Sequence, residues 1–190
     1  GPAGLGVRLP APRGRPHVVG AARSITHLVS SFPGEITLVA LGPLTNIARA
    51  LKAEPLLAGR IKEVVVMGGA VEVPGNVTAH AEFNTYNDAA AADIVFASGV
   101  AVTLVPLDVC TQTFFRMDEG PWFSGNTRTA RLAGKVLANW FRTHPDRDRY
   151  DLCDPLAMAA VIQPDLLTYR QAEVSVETSD PERLGRTVAR

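Results

Sequence analysis

Three short runs of apolar, β-prone residues constrain the fold of this chain more than any other feature. They occupy residues 35–41, 61–67 and 102–107. Continuous apolar runs, without polar alternation, are typical of strands that are covered on both faces. Residues 44–57 and 88–98, which separate the runs, have a helical pattern. This alternation predicts an α/β fold: an open, mostly parallel sheet with helices on both faces and a Rossmann-like core.

The remaining elements are predicted from the same signals. We expect a loop over residues 1–16, helices over 17–31, 128–143 and 155–162, and a short strand over 173–177. The sequence has no repeat and no convincing linker, so we expect one domain, or one partial domain, over residues 1–190.

Charge balance argues against two classes of partner. The chain has 19 basic and 19 acidic residues, so there is no basic excess for nucleic acid or for an anionic membrane surface. Acidic residues, among them Asp93 and Asp108, interrupt the longest apolar stretch, residues 92–110, which is therefore unsuited to spanning a bilayer. The only cysteines, Cys110 and Cys153, are interpreted as reduced thiols. No signal peptide is visible at the start of the sequence, and we expect a cytoplasmic location.

The turn after the first predicted strand can be interpreted in two ways. Pro43 presets the backbone and Thr45 or Asn46 could cap the next helix, which is ordinary helix initiation. Alternatively, the turn leaves the Leu41 carbonyl directed at a cation, since hard ions accept carbonyl oxygen as a ligand. The turn alone does not separate these alternatives.

Polar side chains also follow the second predicted strand, in the segment after Gly68-Gly69. Asn76, Glu82 and Asn84 form either a polar surface loop or a site for a polyhydroxyl ligand. Carboxylates and amides together can both donate to and accept from sugar hydroxyls. Because ligands gather at the carboxyl ends of parallel strands, this place favours a binding site.

Asp154 and Pro155 are the third candidate position. Asp at an N-cap followed by Pro at the first helical position is a common start for a helix. A carboxylate at such a position can also reach a metal ion. Both interpretations stay open at this point.

Several blocks of sequence, in this order, resemble the inosine-uridine-type nucleoside hydrolase family along almost the whole chain. They are GLG at residues 4–6, GPLTNIA at 42–48, VMGG at 66–69, GNVT at 75–78, AEFN at 81–84 and DPLA at 154–157. The GPLTNIA and AEFN blocks are the most specific.

The resemblance implies hydrolysis of the N-glycosidic bond of ribonucleosides, purine or pyrimidine, to ribose and free base. It also implies one Ca²⁺ that grips the ribose diol and activates water, with the Leu41 carbonyl and the Asp154 carboxylate among its ligands. The residues that match the ribose-binding set are Met67, Asn76, Glu82 and Asn84. We therefore expect all of these residues to converge on one cleft at the carboxyl edge of the sheet.

The chain departs from the family pattern in two respects. The Asp-rich motif that supplies the family's other calcium carboxylates has no counterpart in this sequence. Where the family usually has a His that assists the leaving base, this chain has Cys153, a weaker hydrogen-bond donor. The sequence also ends before the family's final helix. We therefore expect the chain alone to be weakly active or inactive, unless Asp108 or Asp151 compensates.

Other functions were weighed against this one. A non-catalytic relic or a nucleoside- or ribose-binding module is the alternative, while a nucleotide-binding protein is excluded because neither a dinucleotide-binding glycine motif nor a Walker lysine is present. The expected partner is a small-molecule nucleoside, and we expect a homo-oligomer.

Overall fold

The computed structural model describes residues 6–7, 9–11, 14, 20–120, 123 and 125–190. The chain forms two compact units, a larger one within Val18–Gln112 and Cys153–Arg190, and a smaller one that includes Thr113–Leu152. Most of the loop predicted over residues 1–16, the first three residues of the helix predicted over 17–31, and part of the GLG block lie outside the described residues. A single domain over residues 1–190 stays a prediction.

Helices and strands alternate through most of the described chain. In order they are α1 (Ala21–Ser31), β1 (Thr37–Ala40), α2 (Thr45–Ala53), β2 (Glu63–Met67), α3 (Phe83–Asn87), α4 (Ala89–Phe96), β3 (Val102–Val105), α5 (Leu107–Cys110), β4 (Phe114–Arg116), α6 (Arg128–Thr143), β5 (Arg149–Asp151), α7 (Cys153–Ile162), β6 (Val174–Val176) and β7 (Thr187–Ala189). Short 3₁₀ helices occur at Pro55–Arg60, Met117–Glu119 and Pro164–Leu166. None of the helices in the described residues has the length and apolar character needed to cross a membrane.

A parallel sheet in the order β1-β2-β3 organises the larger unit. Thr37 pairs with Glu63 in one ladder and Met67 pairs with Val105 in the other, so both helical crossovers join neighbouring strands. The carboxyl ends of all three strands therefore lie at one edge of the sheet. The predicted parallel α/β architecture is confirmed.

Alternate residues of β2 pack into two separate cores. Val64 and Val66 belong to a core built with α1, α2 and α4, while Val65 and Met67 belong to another that α5 and α7 cover. Because successive side chains of a strand point to opposite faces, the sheet has helices on both faces, as predicted. This explains why β2 is apolar at consecutive positions.

Two predicted elements are shorter than the sequence pattern indicates. The helix predicted over residues 44–57 ends at Ala53, because Pro55 lacks a backbone donor and begins a 3₁₀ helix instead. The strand predicted over residues 102–107 ends at Val105, since Pro106 cannot donate to a ladder and Leu107 begins α5.

The smaller unit pairs β4 with β5 as an antiparallel ribbon and contains the long helix α6. The helix predicted over residues 128–143 is confirmed with the same bounds, and Thr127 caps it by accepting from the Ala130 amide at 3.0 Å. Trp140 packs edge-to-face on Tyr150, with ring centroids 4.9 Å apart. An antiparallel pair also forms between β6 and β7 in the larger unit.

Candidate functional site

The turn that leaves β2 depends on a glycine. Gly69 has φ of +79°, and a Cβ at this position would lie 2.9 Å from the Thr187 hydroxyl, so both conformation and space require glycine. The Gly68 amide donates to the Val105 carbonyl at 3.3 Å and the Gly69 carbonyl accepts from the Leu107 amide at 2.9 Å. These bonds join the ends of β2 and β3, where the sequence predicted a ligand site.

Residues 68–82, which we call the β2–α3 loop, fold back on themselves. Asn76 accepts with Oδ1 from the Phe83 amide at 2.8 Å, and the Thr78 hydroxyl accepts from the His80 and Ala81 amides. At Gly75 any side chain would overlap the Ala81 backbone, with a Cβ 2.1 Å from its carbonyl oxygen. Asn76 is therefore held at the start of α3 and is not a mobile surface residue.

Glu82 is buried at the centre of this arrangement, with 2% of its surface exposed. Its Oε2 accepts from the amides of Asn84 at 2.8 Å, Gly69 at 3.1 Å and Thr85 at 3.2 Å, and so caps α3. Burial raises the pKa of Glu82, the three backbone donors oppose that rise, and the nearby Asp154 charge adds to it. A buried carboxylate fixed by three amides is a rigid element of a site.

Asn84 connects this carboxylate to the end of β2. Its Nδ2 donates to the Met67 carbonyl at 3.0 Å and approaches the Met67 sulfur at 3.3 Å. With the amide nitrogen engaged, Oδ1 has no partner among the described residues and can accept from a ligand hydroxyl. Met67, Glu82 and Asn84 thus form one hydrogen-bonded group, which Asn76 joins through Phe83.

Leu41 follows β1 at the same edge of the sheet. Ala40 pairs with Val66, so the next residue along each strand brings Leu41 level with Met67. In the described part of the chain, no backbone amide donates to the Leu41 carbonyl. Leu41 is therefore placed as expected, with an oxygen available for a ligand.

The prediction that Thr45 or Asn46 caps the helix after this turn is wrong. Leu44 stands at the N-cap of α2 and no side chain caps the helix. The Thr45 hydroxyl instead donates to Asp88 Oδ2 in a short hydrogen bond, while Asp88 Oδ1 accepts from the Ala91 amide at 3.1 Å. Asp88 thus ties the start of α2 to the start of α4.

Asp154 differs from the other acidic residues near the site. The helix begins at Cys153, two residues before the predicted start, so Asp154 lies in the first turn and does not cap the helix. Its side chain is exposed and has no hydrogen-bond or ion-pair partner within the described ranges. Partial desolvation raises the pKa of Asp154, and its charge in turn contributes to raising the pKa of Glu82.

The two cysteines lie beneath this position. Cys110 is fully buried and its sulfur lies 3.6 Å from the Val105 carbonyl, while Cys153 is half-buried and packs on the same core. A hydrogen bond with Cys153 and then burial raise the pKa of Cys110. The sequence gave no sign that these cysteines, 43 positions apart in the numbering, would meet.

The two compensating carboxylates proposed from the sequence are both engaged. Asp108 accepts from the Val71 amide at 2.9 Å and the Glu72 amide at 2.7 Å, and so braces the β2–α3 loop. Asp151 belongs to the smaller unit and pairs with Arg149 at 3.2 Å. Nowhere in the part of the chain that the structure describes do three His, Cys, Asp or Glu residues form a group able to hold a metal.

Comparison with known proteins gives consistent relatives. The chain is 39% identical to a probable uridine nucleosidase 1 of Oryza sativa, over 92% of this chain and 56% of the relative. It is 37% identical to uridine nucleosidase 1 of Arabidopsis thaliana, over 92% and 54%. The chain therefore spans about half the length of these curated relatives.

Solved structures show the same likeness. A plant nucleoside hydrolase matches with a TM-score of 0.89 and 33% identity, over 98% of this chain and 60% of that one. A purine-preferring ribonucleoside hydrolase from Gardnerella vaginalis matches with a TM-score of 0.85 and 35% identity, over the same shares. The family model for inosine-uridine preferring nucleoside hydrolases matches residues 1–190, and the chain belongs to that family.

Proposed function

We propose that this protein hydrolyses the N-glycosidic bond of ribonucleosides, with Met67, Asn76, Glu82 and Asn84 on the ribose side of the site. The observation that carries the proposal is the hydrogen-bonded group of Met67, Glu82 and Asn84 at the carboxyl ends of the strands. Family membership supports the reaction class. The names of the relatives include uridine-, pyrimidine- and purine-directed enzymes, so we propose no base preference.

The group fits a sugar whose charge changes during reaction. As the glycosidic bond breaks, the ribose becomes oxocarbenium-like and gains positive charge. The Glu82 carboxylate and the Asn84 amide oxygen, held by bonds made before the substrate arrives, would stabilise that charge without reorganising. Substrate hydroxyls would meet the remaining acceptors, Asn84 Oδ1 among them.

Calcium is the cofactor that the family resemblance implies. The Leu41 carbonyl and the Asp154 carboxylate are oxygen donors without partners and therefore fit calcium in kind. They do not fit in number, because calcium takes about six to eight oxygens and the described residues form no larger group. We propose these two residues as ligands and assign no chemical step to a metal held by them alone.

From this shortage of ligands we expect the 190-residue chain by itself to be weakly active or inactive. Catalysis needs water and ribose held together in a fixed geometry, and a loosely held cation supplies neither orientation nor charge stabilisation. Weak nucleoside binding without turnover is the expected behaviour. A binding module is the second candidate function, favoured by the complete hydrogen bonding on the ribose side.

The test compares two proteins with two substrates. The purified chain, and the same chain extended at its N-terminus by the family's Asp-rich motif, are incubated with inosine or uridine in millimolar calcium, and released ribose is measured as reducing sugar. We expect release from the extended chain only. Equal release from both would show that the described residues suffice, and binding by both without release would favour the binding module.

Two further expectations accompany this proposal. A homo-oligomeric state and a cytoplasmic location both stay predictions. Analytical ultracentrifugation of the purified protein and localisation of a tagged copy in the source cell would test them.

A further inference from the structure

The two cysteines form a pair that the proposed reaction does not use in full. Cys110 ends α5 and is fully buried; Cys153 begins α7 and is half-buried. The two thiols are hydrogen-bonded to each other, and the Cys110 sulfur also contacts the Val105 carbonyl at 3.6 Å. Only one of the two, Cys153, occupies a position to which the family resemblance gives a role.

We propose that Cys110 and Cys153 are a redox-sensitive dithiol, which a hydroperoxide converts into an intramolecular disulfide that switches the site off. The switch rests on the proposed function, whereas the disulfide does not. Both cysteines belong to the larger unit, and α5 and α7 cover the same face of β2. The sulfurs meet inside one packed core, so their contact does not depend on a flexible segment.

The step from contact to bond is small. A disulfide brings the sulfurs to about 2.05 Å, which requires an approach of roughly 1–2 Å from hydrogen-bonding distance. Each cysteine is the terminal residue of its helix, Cys110 the last of α5 and Cys153 the first of α7. Helix ends adjust more easily than helix interiors, so these positions can absorb the approach.

Exposure sets the order of the chemistry. The more accessible Cys153 sulfur attacks a peroxide oxygen, the O–O bond breaks, and a sulfenic acid and one water form. The Cys110 sulfur then attacks the Cys153 sulfur, the S–O bond breaks, and the thiol proton leaves with the hydroxide as a second water. Two thiols and one hydrogen peroxide thus become one disulfide and two waters.

The bond would change the site at two places. Cys153 directly precedes Asp154, which we propose as a metal ligand, so movement of Cys153 displaces that carboxylate. Cys110 lies two residues after Asp108, whose carboxylate holds the Val71 and Glu72 amides of the β2–α3 loop. We expect a loss of hydrolysis of at least tenfold, restored by a reducing agent.

The disulfide is tested on the chain directly, without an activity assay. After treatment with a small excess of hydrogen peroxide, the intact mass should fall by two hydrogen atoms, and titration of the denatured protein should find neither thiol. Dithiothreitol should restore both, and proteolytic mapping should join Cys110 to Cys153 within a monomer. Because the sequence has only these two cysteines, added oxygen atoms or a disulfide-linked dimer would overturn the proposal.

Two variants and an activity measurement complete the test. Cys110→Ser and Cys153→Ser should each fail to lose two hydrogens, and thermal unfolding checks that each is folded; the wild-type mass decides the question even if one is not. In the extended chain, oxidised wild type should lose activity that dithiothreitol restores. A disulfide without loss of activity would overturn the switch, whereas an extended chain inactive before oxidation would count against the proposed function and leave the disulfide result intact.

Discussion

The β2–α3 loop and the start of α7 contribute to the same candidate site in opposite ways. In the loop, Glu82 is buried and one of its oxygens accepts three backbone donors. At the start of α7, Asp154 is exposed and has no partner in the described residues. One carboxylate is fully committed to the fold, and the other is available to something outside it.

This difference indicates which part of the site the chain can build alone. Groups that contact a sugar through fixed bonds can be arranged before the sugar binds, and the energy of that arrangement also stabilises the fold. A carboxylate intended for a cation cannot be satisfied in this way, because any protein donor bound to it would compete with the ion. We therefore expect changes at Glu82 to affect stability and changes at Asp154 to affect only chemistry.

The largest effect is expected from Glu82→Ala. The substitution leaves the amides of Gly69, Asn84 and Thr85 without their acceptor, and each buried unsatisfied donor costs about 1–3 kcal/mol. The free energy of unfolding, measured by urea titration, should fall by about 3 kcal/mol or more. Glu82→Gln is the matched control, since its amide oxygen can occupy the Oε2 position. Equal losses for both variants would show that the charge, and not the acceptor, matters.

Asp154→Asn should give the reverse pattern. In the extended chain we expect kcat/KM for inosine to fall about 100-fold, equivalent to about 2.7 kcal/mol of transition-state stabilisation. The free energy of unfolding should stay within about 0.5 kcal/mol of wild type, because the exposed side chain makes no bond in the described structure. Asp165→Asn, at another exposed acid, is the control and should change neither quantity. A marked loss of stability in Asp154→Asn would remove the contrast between the two regions.

Cys153→His tests the leaving-group side of the site and should have a smaller effect. An imidazolium donates a proton to a departing base more effectively than a thiol, and general acid assistance is typically worth about 10²–10⁴-fold. Because the surrounding packing is adapted to a thiol, we expect about a tenfold rise in kcat for inosine in the extended chain. Unchanged or lower turnover would mean that Cys153 serves packing, or the dithiol, and not the leaving base.

How far the sequence predicted the fold depended on the length of each element. The parallel sheet was predictable because β2 is apolar at consecutive positions, which indicates burial on both faces. β7 and α3 were missed because three to five residues are too few to establish a period. Proline positions decided the remaining errors, at Pro55 and Pro106, where the lack of a backbone donor overrode the apolar pattern.

The candidate site was predictable in membership but not in bonding. Family blocks identified Asn76, Glu82 and Asn84, while nothing in their spacing indicated that a single Glu82 oxygen would bind three amides. Asp108 and Asp88 were not recognised as braces, because their partners lie 36 or more positions away in sequence. The meeting of Cys110 with Cys153 was hidden for the same reason.

The smallest expected effect is a change of stability with pH, and it tests which force governs Glu82. Burial raises the pKa of this carboxyl above its ordinary value of 4.5, while its three amide donors act to lower it. If burial prevails, the unfolded chain loses this proton at lower pH than the folded chain does. The folded state then binds more protons, and stability falls as pH rises from 4.5 until the folded pKa has been passed.

Comparing wild type with Glu82→Gln isolates this contribution from other titrating groups. The free energy of unfolding of wild type should decline relative to that of the variant as pH rises above 4.5, and the difference should become constant once Glu82 is ionised in both states. Urea titrations at a series of pH values give the two curves. A wild type that gains stability relative to the variant over this range would mean that the three amides outweigh burial. Glu82 would then be ionised throughout the range, and the β2–α3 loop would carry a fixed negative charge toward the ribose.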